Sequence, residues 1–196
     1  MAKAVREHLI NVLARGDFVS GQKVGKQLGI SRTAISAHVK ALISMGLDIY
    51  SVTGKGYKLA HPLNLLKKQK IEELVRENQR NNTNSLTPKI EVHSLIDSTN
   101  DYLMRRLPNQ LSYGQVCLAE YQSSGRGRRG REWVSPFGSQ IYLSMYWYLE
   151  DGLSAAMGLS LLSALAVSDA VNAVSGVQVQ LKWRSEERRV GKECRA

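Results

Sequence analysis

The chain has 196 residues, 43% of them hydrophobic, and a formal net charge of +10 at pH 7. That supplies one good core, or a small domain beside a larger one. Residues 1–62 hold nine Lys/Arg against three Asp/Glu, so more than half of the charge sits in the first third and points to a polyanion partner there.

Charges within Met1–His8 fall where a signal peptide's apolar region would be, so export is not expected, and two cysteines, Cys117 and Cys194, are too few for a disulfide framework or a zinc site. A reducing, cytoplasmic location is expected. The uncharged stretch Gly152–Ser168 is short and rich in Ser, Ala and Gly, and reads as a buried helix rather than a membrane span.

In chain order, Val5, Leu9, Val12 and Leu13 recur at helical spacing up to Gly16. A second helix is capped by Ser20, buries Val24 and Leu28 and stops at Gly29. Ser31 caps a third, with Ile35, Val39, Leu42 and Ile43 facing inward. Two short helices joined through Gly29-Ile30-Ser31 form a helix-turn-helix pattern. The outer face of the third helix then carries Arg32, Thr33, Ser36 and Lys40, small polar and cationic groups suited to a major groove. The stretches Leu47–Val52 and Tyr57–Leu59 flank Thr53-Gly54-Lys55-Gly56 and predict a hairpin, the wing of a winged helix, with Lys55 at its tip. A three-helix packing module with a solvated face is the alternative; helix spacing, wing and local charge together favour DNA binding.

A further helix is expected from Pro62 to Arg80, with Leu65, Leu66, Ile71, Leu74 and Val75 as its apolar set. The polar run Asn81–Ser85, closed by Pro88, marks a domain boundary. Ile90–Ile96 alternates like a strand and leads into Asp97-Ser98-Thr99-Asn100 and a short helix from Asp101 to Leu107. Taken alone, those four polar residues read as a helix cap, although they also offer short donors and acceptors for a polar head group.

The strand Val116–Tyr121 feeds, through Gln122-Ser123-Ser124, the stretch Gly125-Arg126-Gly127-Arg128-Arg129-Gly130-Arg131. Its glycines match the dinucleotide spacing G-x-G-x-x-G, but that fingerprint must open a helix, and Pro136 and Gly138 follow instead. A P-loop fails for want of Gly-Lys-Ser/Thr. What remains is a mobile cationic loop able to close over an anionic small ligand; a solvated basic turn is the bland alternative. Beyond it, Ile141, Leu143, Met145, Trp147 and Leu149 alternate with Tyr142, Ser144, Tyr146 and Tyr148, predicting a strand with helices on its apolar side and a ligand on the other. A long helix from about Ser154 to Val174 stops at Gly176, and a last strand is expected over Val177–Trp183. Strands and helices mix without regular alternation, so the fold class is α+β.

The ordered set closely resembles the bifunctional biotin protein ligase and biotin operon repressor family. It comprises the winged helix, Asp97-Ser98-Thr99-Asn100, Glu120-Tyr121-Gln122 and Gly125–Arg131 with Glu132-Trp133. The resemblance covers residues 1 to about 183. It implies a winged helix-turn-helix DNA-binding domain at 1–62, a helix and linker at 63–88, and at 89–183 the N-terminal part of a mixed-sheet ligase catalytic domain. It also implies activation of biotin by ATP and Mg²⁺ to biotinyl-5′-adenylate and transfer to a lysine of a biotin carboxyl carrier protein. The adenylate-bound form would be a homodimer on operator DNA. By position, Ser98, Thr99, Asn100 and Gln122 would hold biotin, and Arg126, Gly127 and Arg128 would fold over biotin and phosphate, with Arg126 and Arg128 carrying the catalytic step. Arg129, Arg131 and Trp133 would meet the nucleotide, no side chain being assigned to metal.

The family continues after Lys182-Trp183 with Pro-Asn-Asp and an active-site lysine, whereas here eight charges fall in the thirteen residues Arg184–Ala196, without an apolar period. That segment reads as an atypical tail, and the chain itself is expected to be inactive although an extended version should turn over. A non-catalytic, ligand-responsive winged-helix regulator is the competing reading; a general RNA-binding protein is weaker because the Arg-Gly loop is a single ordered insert.

Overall fold

The computed structural model describes residues 2–79, 87–150 and 152–181; the linker run Asn81–Ser85 and the tail Arg184–Ala196 lie outside them. Residues 1–147 form one compact unit and 148–196 a second.

The first unit opens with three helices, α1 (Ala2–Leu13), α2 (Gly21–Leu28) and α3 (Arg32–Ser44), and a hairpin of β1 (Ile49–Val52) and β2 (Gly56–Leu59) paired antiparallel with Ile49 opposite Leu59. Both expected caps form. Ser20 Oγ accepts from Lys23 N–H at 3.3 Å and Ser31 Oγ from Ala34 N–H at 3.1 Å, and Gly29 ends α2 in the left-handed region. Val5, Leu9, Leu13, Val24, Ile35, Val39 and Leu42 meet in one core, which also takes in Ile10. Ile43 departs from its expected inward position. It is 45% exposed, because the core closes on the stripe Ile35, Val39, Leu42 and leaves the next residue on the outer flank. Gly56 is required where β2 passes the residue before α2: its φ is +105°, and a Cβ there would lie 2.2 Å from the Val19 carbonyl oxygen.

The expected helix from Pro62 begins only at Lys68, as α4 (Lys68–Gln79). Residues 63–66 run without helical hydrogen bonds because their groups are used elsewhere: Leu63 and Leu65 pack against the helical core, and Leu66 N–H donates to the Glu120 carboxylate, while the Lys67 carbonyl accepts the first bond of the helix. No residue of α4 is buried, and Leu74, assigned to its apolar set, is exposed.

A three-stranded sheet follows, in the order β3 (Ile90–His93), β4 (Val116–Ala119), β5 (Tyr142–Met145), with β3 and β4 parallel and β4 and β5 antiparallel. The connection from β3 to β4 carries α5 (Thr99–Met104), whose Leu103 packs with Ile96, Cys117, Ala119 and Tyr142. Glu91 on β3 anchors that connection. It accepts from Tyr102 Oη at 2.5 Å, Arg106 Nη1 at 2.7 Å and Gln115 Nε2 at 2.6 Å, Gln115 being fully buried. The two halves of the unit share a core, since Leu95 and Phe137 are buried among the helices and Phe137 N–H donates to the Met45 carbonyl at 2.9 Å.

The alternation on β5 is real, but the helix covers the aromatic-polar face and the apolar one is left open. Tyr142 is buried, while Ile141, Leu143, Met145 and Trp147 are exposed, because α5 packs on the side that bears Tyr142 and Ser144.

In the second unit a 3-10 turn (Gly152–Ala156) precedes α6 (Leu159–Ser175), which ends on Gly176 as expected. The expectation of a buried helix is not met: no α6 residue is buried. Its apolar residues surround the axis instead of forming one stripe, so no single packing surface can cover them. Residues 177–181 form no strand. A strand needs a ladder partner, whereas here the Ser168 hydroxyl donates to the Val179 carbonyl at 3.3 Å and Val177 N–H donates to Ser175 Oγ at 3.2 Å; residues 182–183 lie outside the described set. No helix of the described residues is long and apolar enough to cross a membrane.

Candidate functional site

At the C-terminal end of β3 the chain bends, and Ile96 makes a single parallel bridge to Gln122. This bridge lays Asp97-Ser98-Thr99-Asn100 beside the start of the arginine loop. Ser98 is the N-cap of α5, its Oγ accepting from Asp101 N–H at 3.3 Å. Capping therefore accounts for Ser98, and it leaves the hydroxyl proton free to donate.

Thr99, 3% exposed, lies deeper. Its N–H and Oγ1 both reach Gln122 Oε1, at 2.9 and 3.1 Å, and its Oγ1 is 2.8 Å from Ser144 Oγ on β5. An amide oxygen has no proton to give, so the Thr99 proton goes to Gln122 and Ser144 donates to Thr99. The lone pairs of Ser144 then stay free to accept. Gln122 Nε2 donates toward Ser135 Oγ at 3.5 Å, a long contact that leaves its donor capacity in hand.

These groups wall a cavity of about 260 Å³ lined by Ser98, Thr99, Asn100, Gln122, Arg126, Trp133 and the segment Gln140–Ser144. Six residues expected at the site from the sequence meet there. Gly127, Arg129 and Arg131 do not line it: Gly127 N–H donates to the Arg131 carbonyl at 3.0 Å, closing a small loop under an Arg126–Glu132 bridge, and Arg129 and Arg131 are exposed. The side chain of Arg128 lies outside the described residues. Arg129 has φ 58° and ψ 37°, a left-handed conformation that costs a non-glycine residue on the order of 1 kcal/mol.

Gly125 is demanded by close approach rather than by a positive φ. A Cβ there would lie 2.8 Å from Trp133 Cδ1 and 3.0 Å from Ser135 Oγ, so a side chain would push the indole off the cavity rim. Trp133 itself is half exposed. Arg126 reaches across the mouth to an ion pair with Asp101, which holds its guanidinium pKa above the ordinary value. Asp101, Ser135 and Ser144 were not singled out as site residues. The i+3 position of Asp101 after the Ser98 cap and the polar alternation of Ser144 are the signals that could have found them.

Asp97 points away from this cavity. Its carboxylate takes Arg105 in a fork at 2.7 and 3.1 Å, and that hydrogen-bonded guanidinium holds it below the usual carboxylate range. Burial raises the Cys117 thiol to about 11, so it stays protonated and inert.

The basic face is assembled as expected. Arg32, Thr33 and Lys40 are exposed and Ser36 half-buried along α3, and Lys55 stands at the wing tip. Arg32, Gln22 and Ser51–Tyr57 line one cleft between the N-terminal ends of α2 and α3 and the wing. Arg32, Lys40 and Lys55 make no ion pair with a described residue. Phe18 was missed: it packs edge-on to Tyr50 at 6.1 Å and lies under Lys55 and Lys58 Nζ at 5.7 and 5.4 Å, so it positions two wing cations.

Comparison with known proteins follows this division. Residues 92–186 match the biotin/lipoate A/B protein ligase family and residues 5–58 an HTH domain. The chain is 43% identical over 178 residues to the bifunctional ligase/repressor BirA of Salmonella typhimurium, covering 91% of this chain and 52% of that one. It is 28% identical over 188 residues to BirA of Bacillus subtilis, covering 95% and 56%. It is also 38% identical over 92 residues to the biotin--[acetyl-CoA-carboxylase] ligase of Paracoccus denitrificans, covering 46% and 38%. The chain thus spans about half the length of the bifunctional relatives it matches.

Proposed function

We propose, from the match of residues 92–186 to the biotin/lipoate A/B protein ligase family and of residues 5–58 to an HTH domain, that the chain serves a cytoplasmic biotin protein ligase and DNA-binding repressor. The observation that carries the ligase half is the proton arrangement around Thr99. The free Ser98 hydroxyl proton and the spare Gln122 N–H are donors, and the Ser144 oxygen is an acceptor. A cyclic urea, with one carbonyl between two N–H groups, needs that combination. Asn100 adds an amide at the rim.

Biotin's carboxylate, anionic at neutral pH, attacks the α-phosphorus of ATP, and pyrophosphate leaves. In the second step a carrier lysine amine attacks the acyl carbon and AMP leaves with the bonding electron pair. The carrier amine gives up its proton to solvent as the amide forms, and neither step requires a nucleophilic side chain of this chain. The chain supplies position and charge: Arg126, Gly127 and Arg128 fold over the mixed anhydride, Arg126 and Arg128 neutralise developing charge, and Arg129, Arg131 and Trp133 meet the nucleotide. Arg126 is held at the cavity mouth by Asp101, and an arriving phosphate competes with that carboxylate for the guanidinium fork. Closing the loop also keeps water from the anhydride.

Among the described residues no group of three His, Cys, Asp or Glu could hold a metal. Mg²⁺ would come with the ATP phosphates, as it ordinarily does in nucleotide chemistry.

For the repressor half, Arg32, Thr33, Ser36 and Lys40 read the major groove, Lys55 meets a phosphate, and the adenylate-loaded form is a homodimer on operator DNA. Biotin-dependent ATP–pyrophosphate exchange, measured for this chain and for a version extended with a family-like C-terminal half, tests the ligase reading. Exchange by the extended version supports it. Biotin binding without exchange in either would favour a ligand-responsive regulator that does no chemistry. Limited proteolysis is a second readout: Gly125–Arg131 should be protected by biotin with ATP, and equal cleavage with and without them would make it a plain surface turn.

A further inference from the structure

A second, larger cavity of about 460 Å³ shares no lining residue with the first. Its floor is apolar, formed by Met45, Leu95 and Tyr121 among others, and its cations are Lys3, Arg6 and Arg105. Two of the three are answered. Arg105 is forked on Asp97, and Lys3 stands 3.8 Å from Glu7.

Arg6 is different: it forms no ion pair with any described residue, and its Nε is buried without a hydrogen-bond partner among them. The Nε2 of His93, in the same wall, is likewise buried and without such a partner, its nearest charge being the Glu91 carboxylate at 3.9 Å. A part-exposed guanidinium whose Nε–H is buried beside apolar side chains favours an anion there, because that donor is neither solvated nor matched. One unmatched cation calls for a single negative charge, and the apolar floor calls for a tail.

We propose that this cavity binds a small monocarboxylate with an aliphatic tail, the carboxylate on Arg6 and the tail along Leu95 and Tyr121. Its walls come from α1 and the C-terminal cap of α3 on one side and from the β3–α5 junction on the other. An occupant therefore touches both the HTH segment and the ligase segment and favours their observed arrangement. The proposal does not depend on the ligase reading.

The test uses the whole chain, with octanoate, acetate and sulfate as probes, and follows the backbone amide shifts of Val5–Leu9 and His93–Asp97 by NMR. Octanoate should shift both segments saturably and more tightly than acetate, with sulfate weak. Arg6→Met should weaken octanoate at least tenfold, while Lys26→Met, which removes the same charge on exposed α2, should leave it unchanged. Far-ultraviolet circular dichroism checks that both variants stay folded, and His93→Leu, which deletes the second unpartnered group, gives an independent variant expected to weaken binding. No shift in either segment, equal octanoate affinity in wild type and Arg6→Met, or sulfate binding as well as octanoate would overturn the proposal.

Discussion

α3 and α6 are both apolar helices, yet one is the keystone of a core and the other has no buried residue. On α3 the apolar residues form one stripe, and α1, α2 and the wing bring matching stripes to it. On α6 they run all round, and a helix apolar on every side must be covered on every side to be buried. Apolar content was the same kind of signal in both; only the stripe says which surface a neighbour can cover.

The sharpest way to break that comparison is a pair of truncations. Leu9, fully buried in the helical core, should cost about 2–5 kcal/mol when changed to Ala. Val167→Ser on exposed α6 should change stability by no more than about 0.5 kcal/mol. Urea unfolding of both variants checks the pair, and similar losses would mean that α6 is packed after all.

Two carboxylates, Glu91 part-buried and Glu120 buried, extend the contrast into the sheet. Burial pushes the Glu91 carboxyl upward, but the hydrogen bonds from Tyr102 and Arg106 outweigh it and hold the pKa below the ordinary value. Burial raises Glu120, and the Leu66 N–H offsets only part of this. The signs are opposite. Glu91 contributes stability that is present above the unfolded carboxylate pKa and is lost as pH falls through its depressed folded value. Glu120 costs stability as pH rises through the unfolded pKa toward its raised folded one. Glu91→Gln should therefore lose about 1–3 kcal/mol at neutral pH, by weakening charged hydrogen bonds, and flatten the acid limb of the stability profile. Glu120→Gln, which keeps an acceptor for Leu66, should be neutral or stabilising above that range. Thermal melts from pH 3 to pH 8, at intervals of about one unit, decide it; matching profiles would refute the assignment.

A smaller effect is expected at the exposed basic face. Arg32→Ala and Lys40→Ala should each lower the salt dependence of operator binding by about one unit of log–log slope with little change in fold. Unchanged slopes in both would remove α3 from the DNA interface.

Much of this was legible because local chemistry decided it. Ser20, Ser31 and Gly29 set the ends of α2 and α3, and the alternation around Thr53–Gly56 gave the wing. The residues clustered around Thr99 were legible as motifs but not as geometry. That Asp97 turns to Arg105 while Thr99 turns to Gln122 depends on the single bridge between Ile96 and Gln122, a contact 26 residues apart in the chain that no periodicity encodes. The late start of α4 has the same origin. Leu66 N–H goes to a carboxylate 54 residues away rather than into a helix, and the open apolar face of β5 follows from where α5 packs.

The central claim is that the hydroxyl and amide groups around Thr99 form the seat of a cyclic urea. Isothermal titration of biotin into the extended protein and its Thr99→Val variant, both shown folded by circular dichroism, tests it directly. Loss of the Thr99 hydroxyl frees Gln122 Oε1 and Ser144 from their ordered proton arrangement, and biotin should bind at least tenfold more weakly, about 1.4 kcal/mol. Equal affinity in the two proteins would contradict the account.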